Sequence, residues 1–323
     1  MSQEKKAKIL VTGGAGFIGS NLVDVLLRDT RVDLVRVLDD FSNGKKDNLT
    51  HWANDPRLEI IEGDIRDFSV CQQVCKGIDR ISHQAAMGSV PRSVKDPLTT
   101  HDVNVNGTMH VFTAAKEEGI KNIVYASSSS VYGDSEVLPK KEQNTGNVLS
   151  PYALSKAISE QYAALYTRNY GMTFTGLRYF NIFGPRQDPQ GPYAAVIPLF
   201  FKAIQEGIAP QIFGDGEQSR DFTYVTNAVQ ANVLGLFKEA PKAEANVYNI
   251  ACGYRTTINE LWKAMIQLSG TGLSPVHLPL RQGDIPHSLA DISKSKTDLN
   301  FTPDTIFQDG LKKTYEWFVN EYK

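Results

Sequence analysis

The sequence has few cysteines and no excess of either charge. Its 323 residues include 3 cysteines, of which Cys71 and Cys75 lie one helical turn apart and Cys252 is isolated. They are too few for a disulfide framework or a closed zinc site, and the 6 histidines show no ligand spacing, so no metal site is expected. The 34 basic and 36 acidic residues provide no field that would attract nucleic acid or an anionic membrane.

Long apolar runs and internal repeats are also missing. No run approaches the roughly 20 residues of a membrane span, and residues 1–8 lack the apolar core of a signal peptide. We therefore expect a cytoplasmic protein with neither a nucleic-acid nor a membrane partner. His83 lies inside an apolar stretch and is expected to be a hydrogen-bonded core residue.

A glycine-rich turn is the first positive signal. Lys8 to Thr12 has the pattern of a β-strand and runs into Gly13-Gly14-Ala15-Gly16-Phe17-Ile18-Gly19, after which a helix is expected over about 17–28. Glycines there allow a tight turn and let backbone N–H groups approach a pyrophosphate, toward which the helix directs its positive end. The pattern predicts a dinucleotide site.

Asp39 indicates which dinucleotide binds. It ends the second apolar strand about 20 residues after the glycines, where a carboxylate can accept from the adenosine ribose diol and repel a 2′-phosphate. This favours NAD over NADP. Asp39 could instead be a simple turn residue, and the nearby Lys45 and Lys46 could in principle meet a phosphate.

The middle of the chain combines a hydroxyl, a phenol and an ammonium group. Ser128 and Ser129 follow the β-rich stretch 122–126, so their hydroxyls would lie at the carboxyl end of a strand. Ser150 and Pro151 suit the start of a helix, so that Tyr152 and Lys156 fall on one face. A cation beside a phenol favours the phenolate, which makes Tyr152 a candidate base. Taken alone, this spacing also fits a half-buried aromatic residue beside a solvated charge.

Alternating apolar strands and helical patterns predict the fold class. Strands are expected at 8–12, 33–38, 58–62, 78–84, 122–127 and 173–180, and helices at about 97–118, 151–170 and 307–322. This order indicates an α/β protein with a Rossmann-type doubly wound parallel sheet. A chain of this length exceeds one core. We expect an NAD-binding domain over 1–180, with a return segment around 222–250, and a smaller C-terminal α/β substrate-binding domain over 181–323.

These motifs together resemble the extended short-chain dehydrogenases/reductases, and most closely the nucleotide-sugar 4-epimerases. The resemblance spans essentially the whole chain and is carried by the glycine turn, Ser128 four residues before Tyr132, Tyr152 with Lys156, and the segment Arg178 to Pro185. It implies NAD as cofactor, a UDP-sugar as substrate, and a homodimer formed through a four-helix bundle of the helices at 97–118 and 151–170.

The resemblance also implies site residues. The catalytic set is Ser128, Ser129, Tyr152 and Lys156. The cofactor would contact Gly13, Gly16, Phe17, Ile18, Gly19, Asp39, Asp64, Ile65, Gln84, Ala85, Ala86, Tyr152, Lys156 and Tyr179. The UDP-sugar would contact Ser89, Ser128, Tyr152, Asn181, Ala195, Val196, Gln211, Phe213, Arg220, Arg281, Asp284 and Ser288.

Ser288 decides the expected sugar. By resemblance this position lies beside the C2 substituent of the hexose, and a small residue leaves room for an N-acetyl group. We therefore expect interconversion of UDP-N-acetylglucosamine and UDP-N-acetylgalactosamine, with UDP-glucose/UDP-galactose and then UDP-hexuronic acids as alternatives. Sugar dehydratases would need an acidic residue where Ser129 or Ser130 stands, and an NAD-binding sensor without catalysis is a further alternative.

Overall fold

The computed structural model describes residues 6–190, 194–240, 242–280 and 285–322. Its strands are β1 (Ala7–Thr12), β2 (Val32–Asp39), β3 (Leu58–Glu62), β4 (Arg80–His83), β5 (Asn122–Ser128), β6 (Thr173–Tyr179), β7 (Ile182–Phe183), β8 (Gln211–Phe213), β9 (Ser219–Arg220), β10 (Thr223–Tyr224), β11 (Ala245–Ile250), β12 (Thr256–Thr257) and β13 (Val276–Leu278).

Helices connect most of these strands. The α-helices are α1 (Phe17–Arg28), α2 (Phe68–Cys75), α3 (Val90–Lys95), α4 (Pro97–His101), α5 (Thr108–Glu117), α6 (Pro151–Tyr170), α7 (Val196–Glu206), α8 (Val225–Phe237), α9 (Ile258–Ser269), α10 (Ser293–Leu299) and α11 (Phe307–Glu321). A π-helical segment, Asp102–Gly107, joins α4 to α5, and 3₁₀ turns cover Lys46–Trp52 and Ser129–Tyr132.

A seven-stranded parallel sheet is the centre of the fold. Its strand order is β11-β6-β5-β4-β1-β2-β3, and every neighbouring pair is parallel. The predicted Rossmann-type α/β class is confirmed. Strand order reverses on the two sides of β1, and in such sheets ligands bind outside the carboxyl ends of the strands at that reversal.

The clearest local signals gave the most accurate boundaries. Helix α6 begins where Ser150 Oγ accepts from Ala153 N–H at 3.1 Å, with Pro151 in its first turn. It ends at Gly171, whose φ of 63° is left-handed. Helix α1 also covers the predicted residues, and the predicted helix at 97–118 is present as α4, the π-helical segment and α5.

The seventh strand was not predicted as such. Strand β11 pairs with β6 from Ala245 opposite Phe174 to Ile250 opposite Tyr179, and α8 packs on the sheet before it. The chain therefore returns to the sheet after 222, within the segment that the sequence suggested. We keep the division into residues 1–180 plus this return segment, and the remainder of 181–323, as our proposed domain boundary.

Two apolar clusters hold helices on the faces of the sheet. One lies under α1 and α8 and includes Ile9, Val11 and Val229, while the other lies under α2, α5 and α6 and includes Phe112, Tyr125 and Phe174. In the described ranges, no helix is long and apolar enough to span a bilayer.

Candidate functional site

A cleft of about 460 Å³ opens at the carboxyl ends of β1, β2, β4 and β5. Every residue predicted to contact the cofactor lines it: Gly13, Gly16, Phe17, Ile18, Gly19, Asp39, Asp64, Ile65, Gln84, Ala85, Ala86, Tyr152, Lys156 and Tyr179. The sheet thus brings together residues that are spread over 167 positions, from 13 to 179.

The glycine turn leaves room that side chains would fill. Gly13 has φ 67°, and a Cβ there would lie 2.7 Å from the backbone nitrogen of Ala85. A Cβ on Gly19 would overlap the carbonyl oxygen of Gly13. These positions therefore require glycine, and the resulting turn places the N-terminus of α1 at the cleft. This geometry fits a dinucleotide pyrophosphate.

Asp39 connects the turn to the end of β2. Its Oδ2 accepts from Ala15 N–H at 2.8 Å and its Oδ1 from Phe41 N–H at 2.9 Å. Burial raises the pKa of Asp39, although these N–H donors oppose the rise. The carboxylate is fixed at the cleft wall, where it suits a ribose diol.

Asp64 also lines the cleft, but its carboxylate is already paired. Its Oδ2 lies 2.6 Å from an Arg66 guanidinium nitrogen, and that hydrogen bond lowers the pKa of Asp64. The sequence placed Asp64 near the adenine of the cofactor, so a contact with adenine through this carboxylate would have to be shared with Arg66.

Tyr152 and Lys156 lie at the cleft on one face of α6, as predicted. Lys156 Nζ donates to the carbonyl of Ala126 at 2.9 Å and lies 5.8 Å from the centroid of the Tyr152 ring. Burial lowers the pKa of Lys156 to about 8. Burial also raises the pKa of Tyr152, opposed by a hydrogen bond with Ser128. The net shift in the pKa of Tyr152 is therefore upward, opposite to the lowering that the sequence suggested.

The serine run turns sharply after β5. Ser128 Oγ accepts from Ser130 N–H at 3.1 Å, which caps the 3₁₀ turn containing Ser129. Ser127 rather than Ser128 lines the cleft itself, and Ser127 Oγ donates to Glu160 Oε1 at 2.5 Å. Ser128 meets the cleft through its hydrogen bond with Tyr152.

Sequence reasoning missed several polar residues around the site. Asn232 on α8 donates to Tyr179 Oη at 2.7 Å and accepts from Gln84 Nε2 at 2.9 Å. Asn104, in the π-helical segment, accepts from Met87 N–H at 2.7 Å and donates to Ser155 on α6 at 3.1 Å. Both asparagines depend on contacts between distant segments, for which one sequence carries no signal.

Arg186 is a further cleft residue that was not predicted. One guanidinium nitrogen is 2.8 Å from Asp24 on α1, and the other, Nη1, is buried without a hydrogen-bond partner in the described chain. Its position in a turn-rich segment after Pro185 was the one available signal.

His83 behaves as the sequence suggested. Thr12 Oγ1 accepts from Ala85 N–H and lies 2.7 Å from His83 Nδ1, while Thr108, which donates to a backbone carbonyl, lies 3.0 Å from Nε2. Burial lowers the pKa of His83 to about 3, with the charge of Lys156 adding to this. His83 is therefore a neutral core residue. In the described ranges, no group of three or more His, Cys, Asp or Glu side chains could hold a metal ion.

Of the predicted substrate residues that the structure describes, Tyr152 lines the cofactor cleft and the others do not. Asn181 follows β6 with φ 38°, and Ala195 and Val196 begin α7. Gln211 and Phe213 are on β8, Arg220 is on β9, and Ser288 N–H donates to Ser219 on β9 at 3.0 Å. Ser89 caps α3. Arg281 and Asp284 lie outside the described residues.

Comparison with known proteins assigns this geometry to a family. The model of the NAD dependent epimerase/dehydratase family matches residues 9–251. The chain belongs to this family. NAD is its cofactor, and the cradle at the glycine turn, the carboxylate of Asp39 and the size of the cleft fit that group.

Three similar proteins are epimerases named for two different sugars. The UDP-N-acetylglucosamine 4-epimerase from Methanobrevibacter ruminantium M1, solved with UDP-N-acetylmuramic acid, is 41% identical with a TM-score of 0.92, covering 98% of this chain and 100% of that one. The UDP-glucose 4-epimerase of Thermotoga maritima, solved with UDP-glucose, is 35% identical with a TM-score of 0.91 at the same coverage. A putative UDP-glucose 4-epimerase of Methanocaldococcus jannaschii is 37% identical over 97% of this chain and 98% of its own.

Replacing the carboxylate of Asp39 tests the cofactor geometry. Asp39→Asn should reduce NAD affinity about tenfold and make the preference for NAD over NADP smaller. The amide carries no charge, and only one of its two polar atoms can accept a hydrogen bond. Nucleotide released on denaturation, and titration of stripped protein with NAD and NADP, measure this. Asp33→Asn, an exposed change on the same strand, is the control. Unchanged NAD affinity in Asp39→Asn would contradict the assignment.

Proposed function

We propose that this protein is a 4-epimerase that interconverts UDP-N-acetylglucosamine and UDP-N-acetylgalactosamine through a transient 4-keto sugar. The observation that carries the reaction type is that Tyr152 and Lys156 line the cofactor cleft together, with Ser128 hydrogen-bonded to Tyr152. A phenol, an ammonium group and a hydroxyl there can manage the proton of a sugar hydroxyl while a hydride leaves the same carbon.

Each of these side chains has a separate task in the proposal. Tyr152 takes the proton of the sugar 4-hydroxyl, and Ser128 bridges the sugar oxygen and the phenol, with Ser129 as a neighbour that can substitute. Lys156 holds the nicotinamide ribose and favours the phenolate electrostatically, while the hydrogen bond with Ser128 opposes the desolvation that raises the pKa of Tyr152. The nicotinamide, held beside Tyr152 and Lys156 when NAD is bound, would supply the acceptor and donor for the C4 hydride on either face of the sugar. Tyr152 then returns the proton, so the net change is inversion at C4.

The substrate pocket must hold UDP while the hexose turns. We assign the UDP moiety to Asn181, Ala195, Val196, Gln211, Phe213, Arg220, Arg281 and Asp284, and the hexose to Ser89, Ser128, Tyr152 and Ser288. Arginines are suited to the diphosphate because they donate charge-assisted hydrogen bonds. Rotation about the diphosphate link then presents the other face of the keto sugar.

Dehydration is the competing chemistry in this family. It requires an additional acid or base beside the reacting carbons, and Ser129 and Ser130 supply no carboxylate. The carboxylate that contacts the serine run, Glu160, is held by Arg178 at 2.7 Å. The site therefore favours return of the hydride to C4 over elimination. A sensor without catalysis would have no use for Ser128, Tyr152 and Lys156 together, and turnover without added cofactor separates the two.

The N-acetyl preference is supported by Ser288 and by the 41% identical epimerase. Interconversion of UDP-glucose and UDP-galactose is the second candidate, supported by the names of the other two relatives. UDP-hexuronic acids are the third.

Removing the phenolic oxygen tests the reaction type. Tyr152→Phe should retain the fold and bound NAD but lose roughly 10² to 10⁴ fold in kcat, because only the acid/base oxygen is removed. Ser128→Ala should lose less, since Ser129 and water can relay the proton. Epimer formation is followed by chromatography, with Tyr162→Phe on the same helix as control. Near-normal turnover of Tyr152→Phe would remove Tyr152 from this role.

Enlarging residue 288 tests the sugar. Ser288→Tyr should reduce kcat/KM for UDP-N-acetylhexosamines by one to two decades relative to UDP-glucose and UDP-galactose, because overpacking a fitted site costs about 1 to 3 kcal/mol. Both substrate pairs are measured on wild type, on Ser288→Tyr and on Ser293→Tyr, an exposed serine five positions later. Equal losses on both pairs in Ser288→Tyr would count against the N-acetyl assignment.

An exposed apolar face supports the proposed homodimer. Val94 is 63% exposed on α3, Leu98 is 83% exposed on α4, and Leu154 is 48% exposed on α6. Helix α4, which begins the predicted helix at 97–118, packs against α6, and α3 lies beside both. The helices at 97–118 and 151–170 are therefore suited to a four-helix bundle with a second copy.

Light scattering after size exclusion tests the dimer. Wild type at micromolar concentration should have twice the 35.8 kDa chain mass. Leu98→Glu should shift it toward the monomer, because a charge would be buried at the interface. The control is Ile208→Glu, at a residue that is also exposed but lies after α7. A wild-type monomer would reject this assembly.

A further inference from the structure

Asp221 is a fully buried carboxylate between β9 and β10. Its Oδ1 accepts from Cys252 N–H at 3.0 Å, and its Oδ2 accepts from Gly253 N–H at 3.1 Å and from Ala290 N–H at 3.2 Å. In the described ranges it forms no ion pair. Asp221 thus joins the strand pair that carries Arg220, the end of β11, and the segment that carries Ser288.

That last segment, Pro286 to Asp291, is called the strap here. On one side Ser219 N–H donates to the Pro286 carbonyl at 2.9 Å, and Ser288 N–H donates to the Ser219 carbonyl at 3.0 Å. On the other side Lys140 N–H donates to the Leu289 carbonyl at 2.8 Å. The strap therefore runs between the β9 strand and the loop that follows the serine run.

The middle of the strap packs against the serine turn. Ala290 belongs to a small apolar cluster with Ala251, Val131 and Tyr132, of which the last two lie in the 3₁₀ turn that Ser128 caps. The Asp221 carboxylate accepts from the N–H of Ala290 and from the N–H of Cys252, which follows Ala251 in the chain. It therefore holds the backbone on both sides of this cluster. Its position is therefore transmitted to both Ser288 and the serine turn.

An acidic residue is a costly choice at this place. Burial raises the pKa of Asp221 to about 7, more than its three N–H donors lower it. A neutral amide would avoid that desolvation, but its NH₂ group would face one of the N–H donors. Only a carboxylate accepts from all three with both oxygens.

We propose that Asp221 is a positioning residue for sugar selectivity, which sets Ser288 relative to Arg220 and the serine turn by holding the strap at Ala290. The inference rests on the proposed function, because selectivity is defined for a UDP-sugar epimerase. It assigns no contact between Asp221 and the substrate.

The matched control is a second buried clamp on a different segment. Asn227, also fully buried, accepts from Asp304 N–H at 3.0 Å and Thr305 N–H at 3.1 Å through Oδ1, and donates to the Thr305 carbonyl at 2.8 Å. Its Nδ2 also lies 3.7 Å from the sulfur of Cys252, but it makes no bond to the backbone N–H groups that Asp221 holds. Asn227→Ala should lower stability as Asp221→Asn does, without releasing the strap.

Two readouts test the proposal at pH 8, where wild-type Asp221 is mostly ionised. Asp221→Asn should raise KM for UDP-N-acetylhexosamines about tenfold with little change in kcat, and should alter the ratio of kcat/KM between N-acetylated and plain sugars. Hydrogen exchange of peptides covering 286–291 should also be faster. Asn227→Ala should change neither the sugar ratio nor this exchange. If Asp221→Asn does not fold, Asp221→Ser keeps one acceptor in a smaller side chain and takes its place.

Unchanged hydrogen exchange in the strap, or an unchanged ratio of kcat/KM between N-acetylated and plain sugars, would overturn the proposal. Failure of the proposed function is recognised separately, because wild type would then epimerise no UDP-sugar. The exchange experiment would still show whether Asp221 holds the strap.

Discussion

The buried ion pair between Arg178 and Glu160 fixes the helix on which the site depends. Arg178 on β6 donates to both carboxylate oxygens of Glu160 on α6, at 2.8 and 2.7 Å, and its guanidinium lies 4.9 Å from the Tyr132 ring. Glu160 also accepts from Ser127 at the end of β5. Because the pair is almost wholly removed from water, loss of either partner would leave a buried charge. Glu160, one helical turn after Lys156, thus holds helix α6 against strands β5 and β6.

This arrangement explains why the candidate catalytic groups have fixed positions. Tyr152 and Lys156 share the first turns of α6. The serine turn begins beside Ser127, so the same pair that holds α6 also locates the end of β5. Asn104 adds a second tie from the π-helical segment to Ser155. Short π-helical segments inside α-helices are rare and occur frequently at functional sites.

The sequence predicted what local chemistry determines. Glycine turns, the Ser150-Pro151 start of α6 and alternating apolar strands are short-range patterns, and the predicted cofactor residues meet in one cleft because parallel strands end at one edge. Asn232, Arg186 and Asp221 were missed because their roles depend on partners far along the chain. The phenolate argument for Tyr152 also needed burial, which spacing does not reveal. The strap shows the same limit: resemblance suggested Ser288, but nothing in the sequence indicated that Asp221 accepts from Ala290 N–H in the same segment.

The account requires that the hydride removed from the sugar return to the carbon it left, while UDP stays anchored and the hexose turns. Incubating the protein with UDP-N-acetylglucosamine deuterated at C4, without added NAD, tests this most directly. We predict UDP-N-acetylgalactosamine that retains the deuterium at C4, with none lost to solvent. Deuterium moved to C6 with loss of water, or no conversion of any UDP-sugar, would contradict it.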